Sequence, residues 1–409
     1  MTHERRGESK ATRTPAVPSE VLREVVERLA PLDRTPCSNG EREAATWIAS
    51  RLRAAGCEDV AVDEEPSWGP FAPLATGLSG LSTLAAGLVL RGRRVTGALA
   101  ALVAVGGLVD EIDNGPRVVR RALRRRRTTL NVVGRTGDAD AYRTLVVLAH
   151  HDAAQTGAIF DQRLTRALYE RAPDLVGRMK TGPPQWWAVV GGPLLSLGAA
   201  LLGRRRLAAA GLALSVGATG FLADIWRSPT VPGANDNLSG VAGLVALAEM
   251  LRARSVPGLR VLLVSCGAEE TLQDGIRAFM RRHRSELAED STFFLNLDTI
   301  GSPELVMLEG EGPLRMEDYT EPPWRDLVES CARDDGIALE RGVRARASTD
   351  GIIPSRAGYP TVTLVSLAPW RFPANYHLPT DVPENLDYAT VADAVTVTYA
   401  TADALARSG

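Results

Sequence analysis

The stretch TLVVLAHHDAA, residues 144–154, decides the fold. Six residues without a charge lead straight into His150, His151 and Asp152. A continuous Val/Leu run that does not alternate with polar residues marks a strand buried on both faces. Three other segments, 260–266, 293–297 and 361–367, have the same character. Helical apolar periods fall between and after them, near 238–252, 271–286, 323–334 and 389–406. This alternation predicts an α/β fold: a doubly wound, mostly parallel sheet with helices on both faces.

Outward from that core, the N-terminal part predicts a helix over 20–30 capped by Ser19, a helix over 41–55 closed by Gly56, and a short strand at 59–62. Residues 1–18 are polar and charged without an apolar core, and read as a flexible tail rather than a secretory signal. Two blocks break the pattern. Residues 66–90 and 95–109 are uncharged on either side of RGRR; residues 181–203 and 207–223 are uncharged on either side of Arg204, Arg205 and Arg206. Each block reads as an apolar helical hairpin. The longer run of each suits the ~20 residues that cross a hydrocarbon core of about 30 Å. Glycine-rich faces and tryptophans at the run ends (Trp186, Trp187, Trp226) fit lipid. The expected protein is therefore a multi-pass membrane protein with four spans. Its organisation is a tail at 1–18, a discontinuous α/β domain at 19–67, 127–180 and 227–409, a first hairpin with basic linker at 68–126, and a second hairpin at 181–226. Residues 160–180 between His151 and the second hairpin read as an amphipathic helix.

Composition narrows the function. Charged residues are 23%, hydrophobic residues 45% and the net charge is −2, which excludes a mainly disordered chain and gives no signal for nucleic acid. Cys37, Cys57, Cys266 and Cys331 have no metal-finger spacing. The informative residues stand where strands end. His150, His151 and Asp152 follow the first strand, Glu269 and Glu270 follow VLLVSCGA (261–268), and Asp298 follows FFLNL (293–297). Asp236 lies in PGANDNLSG (232–240), ahead of a helix, and His377 and Asp381 in NYHLPTD (375–381). Open α/β sheets place ligands at that edge. Carboxylates that follow apolar strands need a partner, because an unpaired buried charge is costly. Mixed imidazole and carboxylate donors favour Zn2+, with Mn2+ or Co2+ as alternatives.

The order His-x-Asp, Asp-Asn, Glu-Glu, Asp, His resembles the dinuclear zinc aminopeptidase family, which includes bacterial leucyl aminopeptidase and aminopeptidase Y. Local text is similar too: LVVLAHHDA (145–153), GANDNLSGVAGLVALAE (233–249), VSCGAEETLQDGIRAF (264–279), FLNLDTIGS (294–302), STDGIIPSRAGYPTV (348–362), YHLPTDVPENLD (376–387) and TPCSNGEREAATWIASRLRAAG (35–56). The hairpins lie outside the resemblance. It implies two Zn2+ per chain, one held by His150 and Asp298, the other by Glu270 and His377, with Asp236 bridging both. It implies Glu269 as general base for a metal-bridging water, with Asp152 orienting His150. Asp381 is expected to support His377, and Asp350 and Asn237 to lie on the substrate side or behind the ligands. His151 points to the other face of its strand and is expected not to ligate. Gly351 stands after Asp350 where the family usually has a histidine, so contacts to substrate differ there.

The resemblance implies an aminopeptidase acting on peptides with a free N-terminus, anchored in a lipid bilayer. Other readings on the same fold are a different amide hydrolase, a glutaminyl cyclase-like enzyme, a carboxypeptidase with Arg346, Arg356 or Arg371 receiving a carboxylate, or an inactive receptor-like protein. The apolar helices could also mediate oligomerisation. Arginines flanking the spans favour a cytoplasmic catalytic domain, while the basic hairpin tips count the other way.

Overall fold

The computed structural model describes residues 14–408. Nine strands form one sheet: β1 (Asp59–Ser67), β2 (Arg127–Gly137), β3 (Arg143–His150), β4 (Leu259–Cys266), β5 (Thr292–Leu297), β6 (Glu304–Glu311), β7 (Glu317–Asp318), β8 (Glu340–Ala345) and β9 (Thr361–Leu367). Their order is β1-β2-β4-β3-β5-β9-β6-β7, with β8 beside β6. The four central strands, β4, β3, β5 and β9, are parallel to one another, and antiparallel strands flank them on both sides. The sheet changes winding direction at β3, since β4 lies to one side of it and β5 to the other. The apolar runs at 144–149, 260–266, 293–297 and 361–367 are these four strands. β2, β6 and β8 carry weaker patterns and were not legible in the sequence.

The N-terminal helices are α1 (Ser19–Leu29) and α2 (Asn39–Ala54). The first hairpin is α3 (Ala72–Leu90) and α4 (Arg94–Ile112), followed by α5 (Val118–Leu123). After β3 come α6 (Arg163–Arg171), α7 (Pro173–Gly177) and the second hairpin, α8 (Gln185–Leu202) and α9 (Arg205–Arg227). Then follow α10 (Ser239–Ala253), α11 (Asp274–His283), α12 (Pro322–Asp334), α13 (Ile352–Arg356) and α14 (Tyr388–Arg407). On one face of the sheet, α1, α2, α10, α12 and α14 bury the larger core, including Val25, Ile48, Leu244 and Val395. On the other face, Phe279 and Ile276 of α11 close a smaller one.

Three local expectations change. Pro18 rather than Ser19 occupies the cap position of α1, with no side-chain hydrogen bond. The expected tail lies outside the described residues for 1–13, while Val17 packs on the core. The amphipathic stretch 160–180 is not one helix: it breaks at Ala172, because Pro173 disfavours helical geometry in the residue before it.

The two hairpins join into one four-helix bundle. α3 packs on α4 and α9, and α8 packs on α4 and α9. Small residues let the backbones approach: a side chain at Gly192 would collide with Ser215 of α9. The Ser82 and Ser215 hydroxyls pair at 2.6 Å across α3 and α9. At the tips, Arg94 donates to the carbonyls of Ala200 and Leu201. All four helices are long and apolar enough to cross a membrane. Leu84, Val95, Leu99, Leu201 and Leu202 are exposed on the outside of the bundle.

The bundle is locked to the α/β domain by a buried ion-pair group. Arg117 pairs with Asp274 at the start of α11, and Arg120 pairs with Glu111 at 2.6 Å and lies 3.7 Å from Asp274. Asp274 also accepts from the Ser67 hydroxyl (2.8 Å), just before the first hairpin. Two arginines of the basic linker after the first hairpin, Arg117 and Arg120, are thus structural. Asp274→Ala leaves the buried Arg117 without its carboxylate and Arg120 with Glu111 alone, and the expected loss is about 3–5 kcal/mol, read from the denaturant midpoint of the detergent-solubilised protein.

Candidate metal centre and the cavity above it

The site forms at the C-terminal edge of the parallel strands, where the crevice of a doubly wound sheet opens. His150 is the last residue of β3, Glu269 and Glu270 follow β4 in a short 3-10 turn, and Asp298 follows β5. Asp236 lies just before α10, and His377 in the loop after β9. Two donor groups converge there, His150 with Asp236 and Asp298, and Asp236 with Glu270 and His377. A third, His150 with Glu269 and Glu270, overlaps them. Asp236 is common to the first two, its Oδ1 3.2 Å from His150 Nε2 and its Oδ2 3.0 Å from His377 Nε2. His377 Nε2 also lies 3.3 Å from Glu270.

This edge is built by carboxylates that hold backbone rather than metal. Asp152 accepts from the amides of Glu269 and Glu270, both at 3.0 Å, and stands 3.5 Å from His150 Nδ1. Asp381 accepts from the amides of Asn235 (2.7 Å) and Asp236 (3.1 Å). The expectation that Asp381 supports His377 is corrected here: it fixes the Asp236 turn, and His377 Nδ1 has no hydrogen-bond partner. Asn237 bridges the same turn to β5, donating to the Leu297 carbonyl and accepting from the amides of Gly240 and Thr299. A side chain at Gly240 would strike the Leu297 carbonyl at 2.5 Å, so only glycine lets α10 approach β5 so closely.

Of the two positions expected for Asp350, the structure gives the one behind the ligands: it is fully buried and does not line the cleft. There is no room for a side chain after it, since a Cβ at Gly351 would lie 2.3 Å from Thr363 Oγ1. His151 falls on the far side of β3, its Nδ1 2.9 Å from the Ser265 hydroxyl, and burial pushes its pKa down to about 4. It belongs to neither donor group, as its strand position implies.

Three supports were not legible in the sequence. Buried Arg34 donates to the carbonyls of His151, Leu29, Pro232 and Gly233, tying α1 to both ligand loops. Glu41 of α2 accepts from Thr129 Oγ1 and the Ala268 amide, bracing the turn that carries Glu269. Gln273 donates to Glu269 Oε1 at 2.6 Å. All are ordinary polar residues without a distinctive motif, and only their burial marks them.

The electrostatics follow from packing these acids together away from water. Burial raises the Glu269 pKa well above the usual range, with Glu270, Asp350 and Asp298 adding to it and His150 opposing. Burial lifts Asp298 to about 7. Burial opposes charge on His377, yet Glu270 and Asp236 carry it up to about 10. The edge therefore demands positive charge. His377 Nε2, Asp236 Oδ2 and Glu270 Oε1 crowd within hydrogen-bond reach of one another, so their donor atoms point toward a common centre. A pair of divalent cations sharing Asp236 fits that donor set.

A cavity of about 730 Å³ opens over the cluster. Phe160 and Tyr376 wall it beside His377, with ring centroids 4.4 and 3.9 Å from the imidazole. Of the three arginines considered for a carboxylate, Arg356 is held by Glu317 and Arg371 by Glu340. Arg346 lines the cavity, and its Nε has no hydrogen-bond partner.

A sequence family described as Peptidase family M28 matches residues 217–402. The fold carries the same likeness. A leucine aminopeptidase precursor from Bacteroides thetaiotaomicron superposes with a TM-score of 0.56 at 14% identity, over 96% of this chain and 98% of that one. A Zn-dependent exopeptidase from Parabacteroides distasonis gives 0.54 at 14%, over 94% and 98%. A glutaminyl cyclase from Tannerella forsythia gives 0.55 at 15%, over 95% and 99%. The resemblance to the dinuclear zinc aminopeptidase family thus appears in the motifs, in the family match and in an M28-peptidase-like α/β fold. An uncharacterized protein from Escherichia coli, YfbL, is 27% identical over 188 residues, 40% of this chain and 57% of that protein, so the chain spans little more than half of that curated relative.

Asp350 offers a test of the buried charge. Burial raises its pKa from 3.8 to about 7, so the folded protein holds a proton that the unfolded chain has released. Stability present below about pH 4 is lost as pH rises toward 7. In chelator-treated protein, Asp350→Asn is expected to flatten that fall. Urea midpoints should match wild type at pH 4 and exceed it at pH 8.

Proposed function

We propose that the protein is a membrane-anchored aminopeptidase that uses two Zn2+ ions per chain to hydrolyse the N-terminal bond of peptides with a free amino group. Two donor groups that share Asp236, with Glu269 beside them, carry this reading. His150 and Asp298 would hold one ion, Glu270 and His377 the other, and Asp236 both; Mn2+ or Co2+ suits the same donors. Two such ions supply an acidified water and neutralise charge that develops on the substrate carbonyl.

The chain's own groups do the rest. Glu269, with a raised pKa and a fixed orientation on Gln273, takes the proton of the attacking water. The water oxygen bonds to the carbonyl carbon, the C–N bond breaks, and Glu269 passes the proton to the leaving amine. Asp152 positions His150 and the Glu269–Glu270 turn together. Phe160 and Tyr376 exclude water beside His377. In this reading the four apolar helices anchor the catalytic domain, and the arginines that flank them favour a cytoplasmic side for it.

The test is metal content and amino-acid release on detergent-purified protein, with free and N-acetylated dipeptides. About two ions per chain and cleavage of the free-amine substrates alone are expected. Glu269→Ala should lower kcat by about 10²–10⁴-fold while retaining the ions. Bound metal without turnover of any dipeptide overturns the aminopeptidase reading, and absence of bound metal overturns the site assignment.

A further inference from the structure

The cavity over the metal centre does not end with the catalytic domain. One continuous space is lined at one end by His150, Asp236 and Glu270, and at the other by the bundle. Its far wall is one side of α9, with a stripe of Leu214, Gly217, Phe221 and Ile225 along its middle and Ala213, Ala218 and Leu222 at its margins, faced by Trp186 and Val189 of α8. The stripe residues recur every three or four positions, so they share one side of the helix.

Depth gives this wall its meaning. α9 ends at Arg227 beside the catalytic domain, and Leu214 lies eleven residues before Ile225. At ~1.5 Å per residue the stripe runs about 16 Å, roughly half of a ~30 Å hydrocarbon core. Leu214 and Phe221 are 40% and 46% exposed, whereas Gly211 and Ser215 on the adjoining side of the helix are buried against α8 and α3. At Gly217 nothing lies within 4 Å of where a Cβ would stand. The domain-side cover is apolar too: Leu168, Val176 and Met179 of the segment after β3 face the same space.

A pocket for short polar peptides needs no such extension. We infer that the substrates are amphiphiles, in which a long apolar chain lies along the α9 stripe while the amide attached to it reaches the metal centre. This rests on the aminopeptidase reading and names its substrate class. The occupant is the substrate's own chain because wall and metal ligands line one uninterrupted cavity. The chain would enter from the bilayer rather than from water.

Two substrate series test it in detergent-solubilised protein, both with free amino groups. Leucyl n-alkylamides from ethyl to dodecyl place the chain on the leaving amine. 2-Aminoalkanoyl amides of matching length place it on the acyl side. Each methylene that leaves water strengthens binding by up to about fourfold. At least about a tenfold rise in kcat/KM from the shortest to the longest member is expected in one series, part of the gain being lost to detergent. Gly217→Leu fills the open position and should collapse that ratio toward one. Val216→Leu, at the same depth on the exposed side of α9, should leave the ratio at the wild-type value. Equal kcat/KM at every length in both series overturns the inference and leaves the aminopeptidase reading standing. A length preference that survives Gly217→Leu also overturns it, since partition into detergent then explains the trend. Cleavage of no member of either series, short ones included, overturns the aminopeptidase reading itself.

Discussion

Acidic charge gathered at the buried edge of one sheet is the constraint around which this protein is organised. Asp236, Glu269, Glu270 and Asp298 are each at least nine-tenths buried or nearly so, and two imidazoles stand among them. Left to themselves, such groups would take up protons or pull water into the interior. The surrounding structure answers that charge with backbone amides, given over to Asp152 and Asp381, and with the guanidinium of Arg34. Those supports leave the inward-facing donor atoms free for cations.

The same economy governs the junction with the bundle. Asp274 begins α11, which packs beneath the sheet, and is also the acceptor for arginines that follow the first hairpin. One buried carboxylate thus couples the catalytic face to the helices. Residues that look like a basic membrane flank in the chain are partly consumed in this junction. That lowers the weight of a simple arginine count for topology, because buried, paired guanidinium groups do not meet lipid head groups.

The helices of the bundle approach closely at Gly192, Gly211, Ser82 and Ser215, while Leu78, Leu108 and Val190 fill its core and Leu84, Leu99 and Leu201 lie outside. Small residues at the contacts and large ones elsewhere are how helices associate in lipid, where burial of apolar surface gives no drive of its own. The crevice over the donor cluster and the four-helix bundle therefore share a wall, rather than merely a linker.

The four central strands, the four long apolar helices and the ligand residues were all legible in the chain. Each depends on a local rule: uninterrupted Val/Leu runs, uncharged stretches of membrane length, and polar residues placed where strands end. His151 could be set aside for the same reason, since neighbours in a strand face opposite ways. Of the flanking strands the start of β1 was legible, whereas β2, β6, β7 and β8 were not, because their runs mix charged and polar residues with the apolar ones. Nor were Arg34, Glu41 and Gln273, because the contacts that define their roles, such as Arg34 to His151 and Glu41 to Ala268, join segments far apart in the chain or depend on how a turn folds back. Asp381 and Asp350 carry the right chemistry in the chain, yet one holds a backbone turn and the other lies behind the site. The chain by itself determined which groups could bind metal and which helices could meet lipid. Only the tertiary structure decided that the two hairpins form one bundle and that its α9 stripe continues the catalytic cavity, because long-range packing sets which face of a helix looks inward.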